Sequence, residues 1–422
     1  MINNLSTNKA LAYDGISDEL FRPSMAAQTA RIMNDIWSID WNKVQNSQIF
    51  FKTRLIPLNK KHPKTPSPDD FRPIIVTSPI VKLMEVRIYS KLQKYLTEKM
   101  HRGQTGFVRG MGTQINLYRI NERIKQKILL TGRCYGLFID FKSAYNTVLH
   151  SKLFKRLEGI LEPIEIEFIK ALYSRMEISM EDSSFRPNIG VPQGSIISPA
   201  LFDIYVEPLY KQLEKAKVSP EDALGYADDL NTLCDTPAHL MKVLRIIIKW
   251  AEDNNQIIRM DKSGIVVFGP RRGRWDLIWK YGDSRLGVPV VDRYKYLGFW
   301  ITPRMQLELQ KEHIEKKIRF LLSKLYPVLR GISLDYRINL WKIMAKPLFD
   351  QILCALDRET SDSNVKKITI LSKMTFKSFT LLGKTVPNRI INYLMNYDVQ
   401  ARAKRIANIA KRRWENRLYK RT

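Results

Sequence analysis

Hydrophobic and polar positions change period several times along the chain, and each change predicts an element. Residues 51–58 (FKTRLIPL) read as a strand, and the Pro- and Lys-rich residues 59–70 as the loop that breaks it. Phe71-Arg72-Pro73-Ile74 then leads into residues 80–98, where Leu83, Val86, Ile88, Leu92 and Leu96 mark the apolar face of a helix. A Gly-rich turn at residues 110–113 precedes a second helix over 115–130. Residues 134–140 (CYGLFID) form a continuous apolar run ending in a carboxylate, which suits a buried strand whose end opens into a site. Helices are expected over 145–161, 201–216 and 241–254, a hairpin from 223–226 and 230–234, and a short strand over 265–268. Beyond Tyr294 the pattern turns helical over 308–325, 334–349 and 363–381, ending in a strongly basic helix over 401–421. Short helices are also expected near the start, over 18–21 and 29–41. This order predicts an α+β fold rather than a parallel dinucleotide-binding sheet, and the GxGxxG fingerprint is absent.

Composition sharpens the picture at one point. The chain has 422 residues, 44% hydrophobic and 27% charged, near the averages for soluble globular proteins, so it can bury a full core and wholesale disorder is not expected. The outlier is charge: Lys+Arg of 70 against Asp+Glu of 42 leaves +28, which attracts phosphate backbones. A solvated basic face or contact with an anionic membrane surface is the other reading of that charge. Cys134, Cys234 and Cys354 are odd in number and far apart, which argues against a disulfide framework and for a reducing interior. With no CxxC pair and five scattered histidines, no structural zinc is expected. Neither a signal peptide nor a long apolar run is present, so a soluble intracellular protein without a membrane partner is expected, nuclear, cytoplasmic, organellar or bacterial.

Three segments carry chemistry. They are Phe138-Ile139-Asp140-Phe141-Lys142-Ser143-Ala144-Tyr145, Gly190-Val191-Pro192-Gln193-Gly194-Ser195 running on to Ser198-Pro199, and Tyr226-Ala227-Asp228-Asp229. Transfer of a phosphoryl group onto a 3′-hydroxyl uses two divalent ions about 3.5–4 Å apart, so carboxylates from distant parts of the sequence must converge. A strand end at Asp140 and a hairpin at Asp228-Asp229 suit that task. Taken singly, each has an ordinary alternative: a helix N-cap for Asp140 and an exposed hairpin turn for Asp228-Asp229.

In this order the segments resemble palm motifs A, B and C of reverse transcriptases, most closely those of non-LTR (LINE-type) retrotransposons, with group II intron enzymes as near kin. The resemblance implies a right-hand polymerase fold: an N-terminal extension (1–50), fingers and a palm whose antiparallel sheet carries the carboxylates (51–300), a helical thumb (301–355) and a basic helical C-terminal region (356–422). It implies RNA-directed DNA synthesis from dNTPs on an RNA template and a DNA or RNA primer. Two Mg²⁺ or Mn²⁺ ions would be held by Asp140 and Asp228, with Asp229 as a supporting acid. Lys262, in Asp261-Lys262-Ser263-Gly264, matches the motif D lysine that faces the leaving pyrophosphate. Arg72 falls where fingers residues meet the triphosphate, with Lys60 and Lys61 nearby as weaker candidates that could equally be loop charge. Tyr145 matches the aromatic gate that rejects a 2′-hydroxyl, while Gln193 and Gly194 match the residues beside the incoming nucleotide. Tyr296-Leu297-Gly298 resembles the primer-grip turn, and Lys404, Arg405, Lys411, Arg412, Arg413 and Arg417 are candidates to neutralise phosphates. For Tyr145 a place in the core, and for the basic residues a solvated face, are the alternatives.

Larger members of the family add an endonuclease or an RNase H domain, for which the 422 residues leave no room. The expectation is a stand-alone enzyme, a fragment of a polyprotein or a domesticated copy. A ribonucleoprotein with its own RNA is compatible with it. The competing functions are a maturase-like factor that binds intron RNA and assists splicing, and a non-catalytic RNA-binding scaffold of polymerase fold.

Overall fold

A computed structural model describes residues 13–16, 23–40, 51–60, 65, 67, 70–269, 277, 278, 280, 287–354, 362–383 and 385–419. The short helix expected over 18–21 and Lys61 lie outside these residues. The strands, in chain order, are β1 (Lys52–Asn59), β2 (Phe71–Val76), β3 (Cys134–Ile139), β4 (Phe141–Lys142), β5 (Glu177–Met180), β6 (Ser183–Phe185), β7 (Ala223–Tyr226), β8 (Asp229–Cys234), β9 (Ile257–Ile258), β10 (Gly264–Phe268), β11 (Tyr294–Tyr296) and β12 (Phe299–Ile301). The helices are α1 (Ala26–Trp37), α2 (Pro79–Glu98), α3 (Thr113–Thr131), α4 (His150–Leu157), α5 (Pro163–Arg175), α6 (Ser198–Lys215), α7 (Pro237–Asp253), α8 (Glu308–Gly331), α9 (Leu334–Leu340), α10 (Lys346–Leu353), α11 (Asp362–Thr380), α12 (Asn388–Met395) and α13 (Val399–Tyr419). They fall into two compact units whose chain segments interleave, 1–109 with 141–212 and 246–258, and 110–140 with 213–245 and 259–422.

The first unit holds a mixed sheet in the order β2-β1-β5-β6. β1 pairs antiparallel with β2 through Leu58↔Arg72 and Ile56↔Ile74, and parallel with β5 through residues 52–54 alone. The strand β2 was not among the expected elements; its Pro73 is tolerated on an edge, where the missing N–H costs no ladder bond. α2 begins with Ser78 Oγ accepting from the Ile80 N–H at 3.2 Å and Pro79 at its first turn, and α5 with a capping box between Glu162 and Glu165. The continuous helix expected over 145–161 is broken into a 3₁₀ turn (Ala144–Thr147) and α4. The carbonyls that would continue it are committed elsewhere: Val148 O accepts from Gly190 N at 2.7 Å and Tyr145 O from Val191 N at 2.8 Å.

The second unit holds an antiparallel sheet in the order β10-β3-β8-β7. Every residue of β3 is buried, as its uninterrupted apolar run requires. The same hydrophobic cluster joins this sheet and α3 to the helices that follow, with Trp341, Phe376 and Trp414 fully buried in it. The helix expected over 334–349 is divided into α9, a π turn (Trp341–Ala345) and α10. Pro347 is the physical reason, since it has no N–H to return to the preceding turn and the wider turn absorbs the fault. α13 presents Ala403, Ile406, Ala407, Ala410 and Trp414 to the core, and the guanidinium of Arg119 on α3 lies 5.1 Å from the Trp414 ring. No helix among the described residues is long and apolar enough to cross a membrane.

Candidate active site

The second unit brings the three aspartates together by sheet register. β3 pairs with β8 through Ile139↔Leu230, so continuing the ladder by one residue sets Asp140 opposite Asp229. β7 and β8 close at Tyr226↔Asp229 around the two-residue turn Ala227-Asp228, where Ala227 is held at φ 58°. A left-handed conformation at a residue with a Cβ is strained, and such strain persists where the surroundings over-determine it. The carboxyl of Asp229 is pushed up to about 7, first by burial and then by the charges of Asp228 and Asp140. The charges of Asp228 and Asp140 thus add to burial in disfavouring the ionised form of Asp229.

Asp140 is held on three sides by the segment that follows β9. Arg259 Nε donates to Asp140 Oδ2 at 2.7 Å, the Arg259 N–H to Asp140 O at 2.9 Å, and the Asp140 N–H to Ser263 Oγ at 3.1 Å. Lys262 lies on this same turn with its side chain exposed. Tyr294 stacks on Phe138 at 4.6 Å, and its hydroxyl is raised by burial and then by Asp140 and Asp229. Tyr296 is buried, its hydroxyl donating to Leu224 O at 3.4 Å. The turn Leu297-Gly298 has both residues at positive φ, 48° and 77°, the geometry of a type I′ hairpin, and Gln351 Nε2 donates to Leu297 O at 3.0 Å.

The first unit assembles the other candidates. Gln193 O accepts from Ile75 N at 2.6 Å, and Gln193 Nε2 donates to Asn146 Oδ1 at 3.2 Å. Gly194 has φ 125°, and a Cβ there would stand 2.3 Å from Ile75 O, so no other residue lets the loop approach β2 so closely. Tyr145 is half-buried and stacks on Phe202, centroids 4.9 Å apart. Arg72 and Lys60 are exposed at the same end of the β1–β2 pair. In the second unit, Lys404, Arg405, Lys411, Arg412 and Arg413 are exposed on α13, and Arg417 is partly so.

Oxygen donors of this kind suit a hard divalent cation, which would relieve the repulsion within the acid cluster. Among the described residues no three His, Cys, Asp or Glu side chains stand ready as a ligand set, and Asp140 Oδ2 is paired with Arg259. The carboxylates fit such an ion by chemistry. Sequence reasoning missed Arg259, Ser263 and Tyr294, which stand close to the motifs yet match no pattern of their own. It also missed Glu85, whose signal was an acid on the buried stripe Val81, Glu85, Ile88, Leu92.

Comparison with known proteins places the chain in a family. Residues 59–301 match the family described as "Reverse transcriptase (RNA-dependent DNA polymerase)". The chain is 24% identical over 400 residues to the RNA-directed DNA polymerase from mobile element jockey of Drosophila melanogaster, covering 89% of this chain and 43% of that protein. It is 24% identical over 331 residues to the probable RNA-directed DNA polymerase from transposon X-element of the same organism, covering 74% of this chain and 36% of that one. The chain thus spans less than half the length of these relatives. The fold is shared with telomerase from Candida albicans solved with a TWJ fragment of telomeric RNA, at a TM-score of 0.52 and 11% identity, over 86% of this chain and 68% of that one. With more than half of its length matched, the chain belongs to the reverse transcriptase family, with the α+β right-hand polymerase fold.

Proposed function

We propose that the protein extends a primer 3′-hydroxyl with dNTPs on an RNA template. The observation that carries this reading is the convergence of Asp140, Asp228 and Asp229 at adjoining strand ends, where burial first and then the charges of Asp228 and Asp140 push the Asp229 carboxyl up to about 7. Such a cluster is costly unless it serves a cation. Asp140 and Asp228 are the proposed ligands of two Mg²⁺ or Mn²⁺ ions, with Asp229 in support. Those ions supply acidification of the primer hydroxyl and a grip on the triphosphate.

The chain's own residues do the rest. Arg259 holds the Asp140 carboxylate in place. Arg72 and Lys60 meet the triphosphate of the incoming nucleotide, Gln193 and Gly194 lie beside its base and sugar, and Tyr145 closes the space a 2′-hydroxyl would need. Lys262 protonates the leaving pyrophosphate. Tyr296, Leu297 and Gly298 seat the primer end. Lys404, Arg405, Lys411, Arg412, Arg413 and Arg417 neutralise phosphates along the bound nucleic acid. In this assignment residues 1–50 extend the fingers and palm of 51–300, and the thumb (301–355) is followed by the basic region (356–422).

Primer extension on an RNA template with Mg²⁺, comparing the wild type with Asp228→Ala, tests it. Extension by the wild type and none by the variant is expected; a wild type that binds RNA but incorporates no dNTP would leave an RNA-binding scaffold in its place.

A further inference from the structure

The loop that carries Gln193 is held from beneath by a single buried acid. Glu85, on α2, is fully buried, and both of its oxygens are used: Ser195 Oγ donates to Oε1 at 2.6 Å and Ile196 N–H to Oε2 at 3.0 Å. Ser195 Oγ in turn accepts from Ile197 N and Ser198 N, each at 3.3 Å, at the point where α6 starts. On its other side the loop is fixed by the Ile75 N–H on Gln193 O and by the close approach of Gly194 to β2. Residues 193–198 are thus clamped between a strand and a carboxylate.

A buried carboxylate in an apolar stripe is expensive, and the hydrogen bonds from Ser195 and Ile196 offset that cost. What Glu85 does there is hold the loop rather than fill the core. We propose that Glu85 is a positioning residue for the incoming nucleotide: through Ser195 and the Ile196 amide it fixes the conformation in which Gln193 and Gly194 face the dNTP. This rests on the reading of Gln193 given above.

The clamp is strongest when Glu85 is ionised, because hydrogen bonds to a charged acceptor are stronger than those to a neutral one. Burial pushes its carboxyl up to about 7, opposed by the Ser195 and Ile196 hydrogen bonds and by Lys82 one turn away on α2. From α5, Tyr173 faces it, with its hydroxyl raised by burial and by Glu85. The two consequences of this titration have opposite sign. A raised carboxyl favours the fold at low pH and withdraws that stability as pH rises through about 7, whereas the clamp weakens as pH falls through the same range. A merely structural role would follow only the first trend.

Steady-state extension with Glu85→Gln, Ser195→Ala and Gln193→Ala, each checked for fold by circular dichroism and for template–primer affinity, tests the proposal. Gln keeps the shape but turns an amide or a neutral oxygen toward the Ile196 N–H. A KM for dNTP raised about ten-fold at pH well above 7, with kcat and template–primer affinity little changed, is expected from loss of one charge-assisted hydrogen bond. The ratio of KM values, variant to wild type, should fall toward one as pH is lowered from about 8.5 to about 6. If Gln193→Ala raises KM but neither Glu85→Gln nor Ser195→Ala does, or if the ratio is flat across pH, the positioning role is overturned. If Gln193→Ala leaves KM unchanged, it is the assignment of Gln193 that fails. Should Glu85→Gln not fold, Ser195→Ala decides alone, since it removes the same contact from the loop side.

Discussion

Arg259 Nε lies 2.7 Å from Asp140 Oδ2, so one of the two proposed metal ligands is already paired with a cation of the chain itself. The pair is partly exposed, with a third or less of either side chain accessible, and its value lies in orientation more than in stability. Replacing Arg259 by Gln should lower extension by roughly ten-fold or more, since a charge-assisted hydrogen bond contributes about 1.5–3 kcal/mol. Primer extension over a Mg²⁺ titration checks this; an unchanged rate and an unchanged Mg²⁺ midpoint would show that Arg259 is a bystander. Asp140→Ala should abolish extension while leaving template–primer affinity nearly intact, because affinity comes from the basic surface.

Tyr145 stacks on Phe202 with its ring half-exposed. Tyr145→Ala should raise use of rNTPs relative to dNTPs by removing the clash with a 2′-hydroxyl. Competing incorporation of the two on one template measures it, and an unaltered ratio in a folded variant returns Tyr145 to the core.

The basic face of α13 is exposed while its apolar face is buried, so its charges can be removed without touching the core. Lys411, Arg412 and Arg413 changed together to Ala should weaken template–primer binding and flatten log K against log salt, with chemistry per bound complex little changed. Binding isotherms at several salt concentrations read this directly. Equal slopes for variant and wild type would place α13 outside the nucleic-acid path.

Asp350 ties α13 to α10. Arg402 reaches it through Nε at 3.0 Å and Nη2 at 2.7 Å, Tyr397 Oη donates at 2.9 Å and Lys346 Nζ at 3.2 Å. Asp350→Ala should destabilise the protein by roughly 2–4 kcal/mol, since it strands an arginine that is mostly covered. Burial raises the Asp350 carboxyl, but the Arg402 and Tyr397 hydrogen bonds outweigh it and leave the pKa below its ordinary value. The stability this group contributes is therefore present above the ordinary aspartate range and lost as pH falls through its lowered pKa. Thermal melts of wild type and variant should converge in acid; a constant gap at all pH values would contradict the linkage.

The sequence by itself determined the acid-bearing strand and hairpin. β3 reads as a buried strand because all of its residues are apolar, and the β7–β8 turn reads as a hairpin because its partners flank Asp228-Asp229 at the right spacing. The motif order then pointed to the family. Tertiary structure decided what local pattern cannot carry. β2 forms in spite of Pro73 because an edge position spares the lost N–H, and the expected helix over 145–161 breaks because Gly190 and Val191 claim its carbonyls. Arg259 and Glu85 were invisible for the same physical reason: each acts on a partner more than a hundred residues away, Asp140 at a separation of 119 and Ser195 at 110, and no period in the sequence reports such a contact.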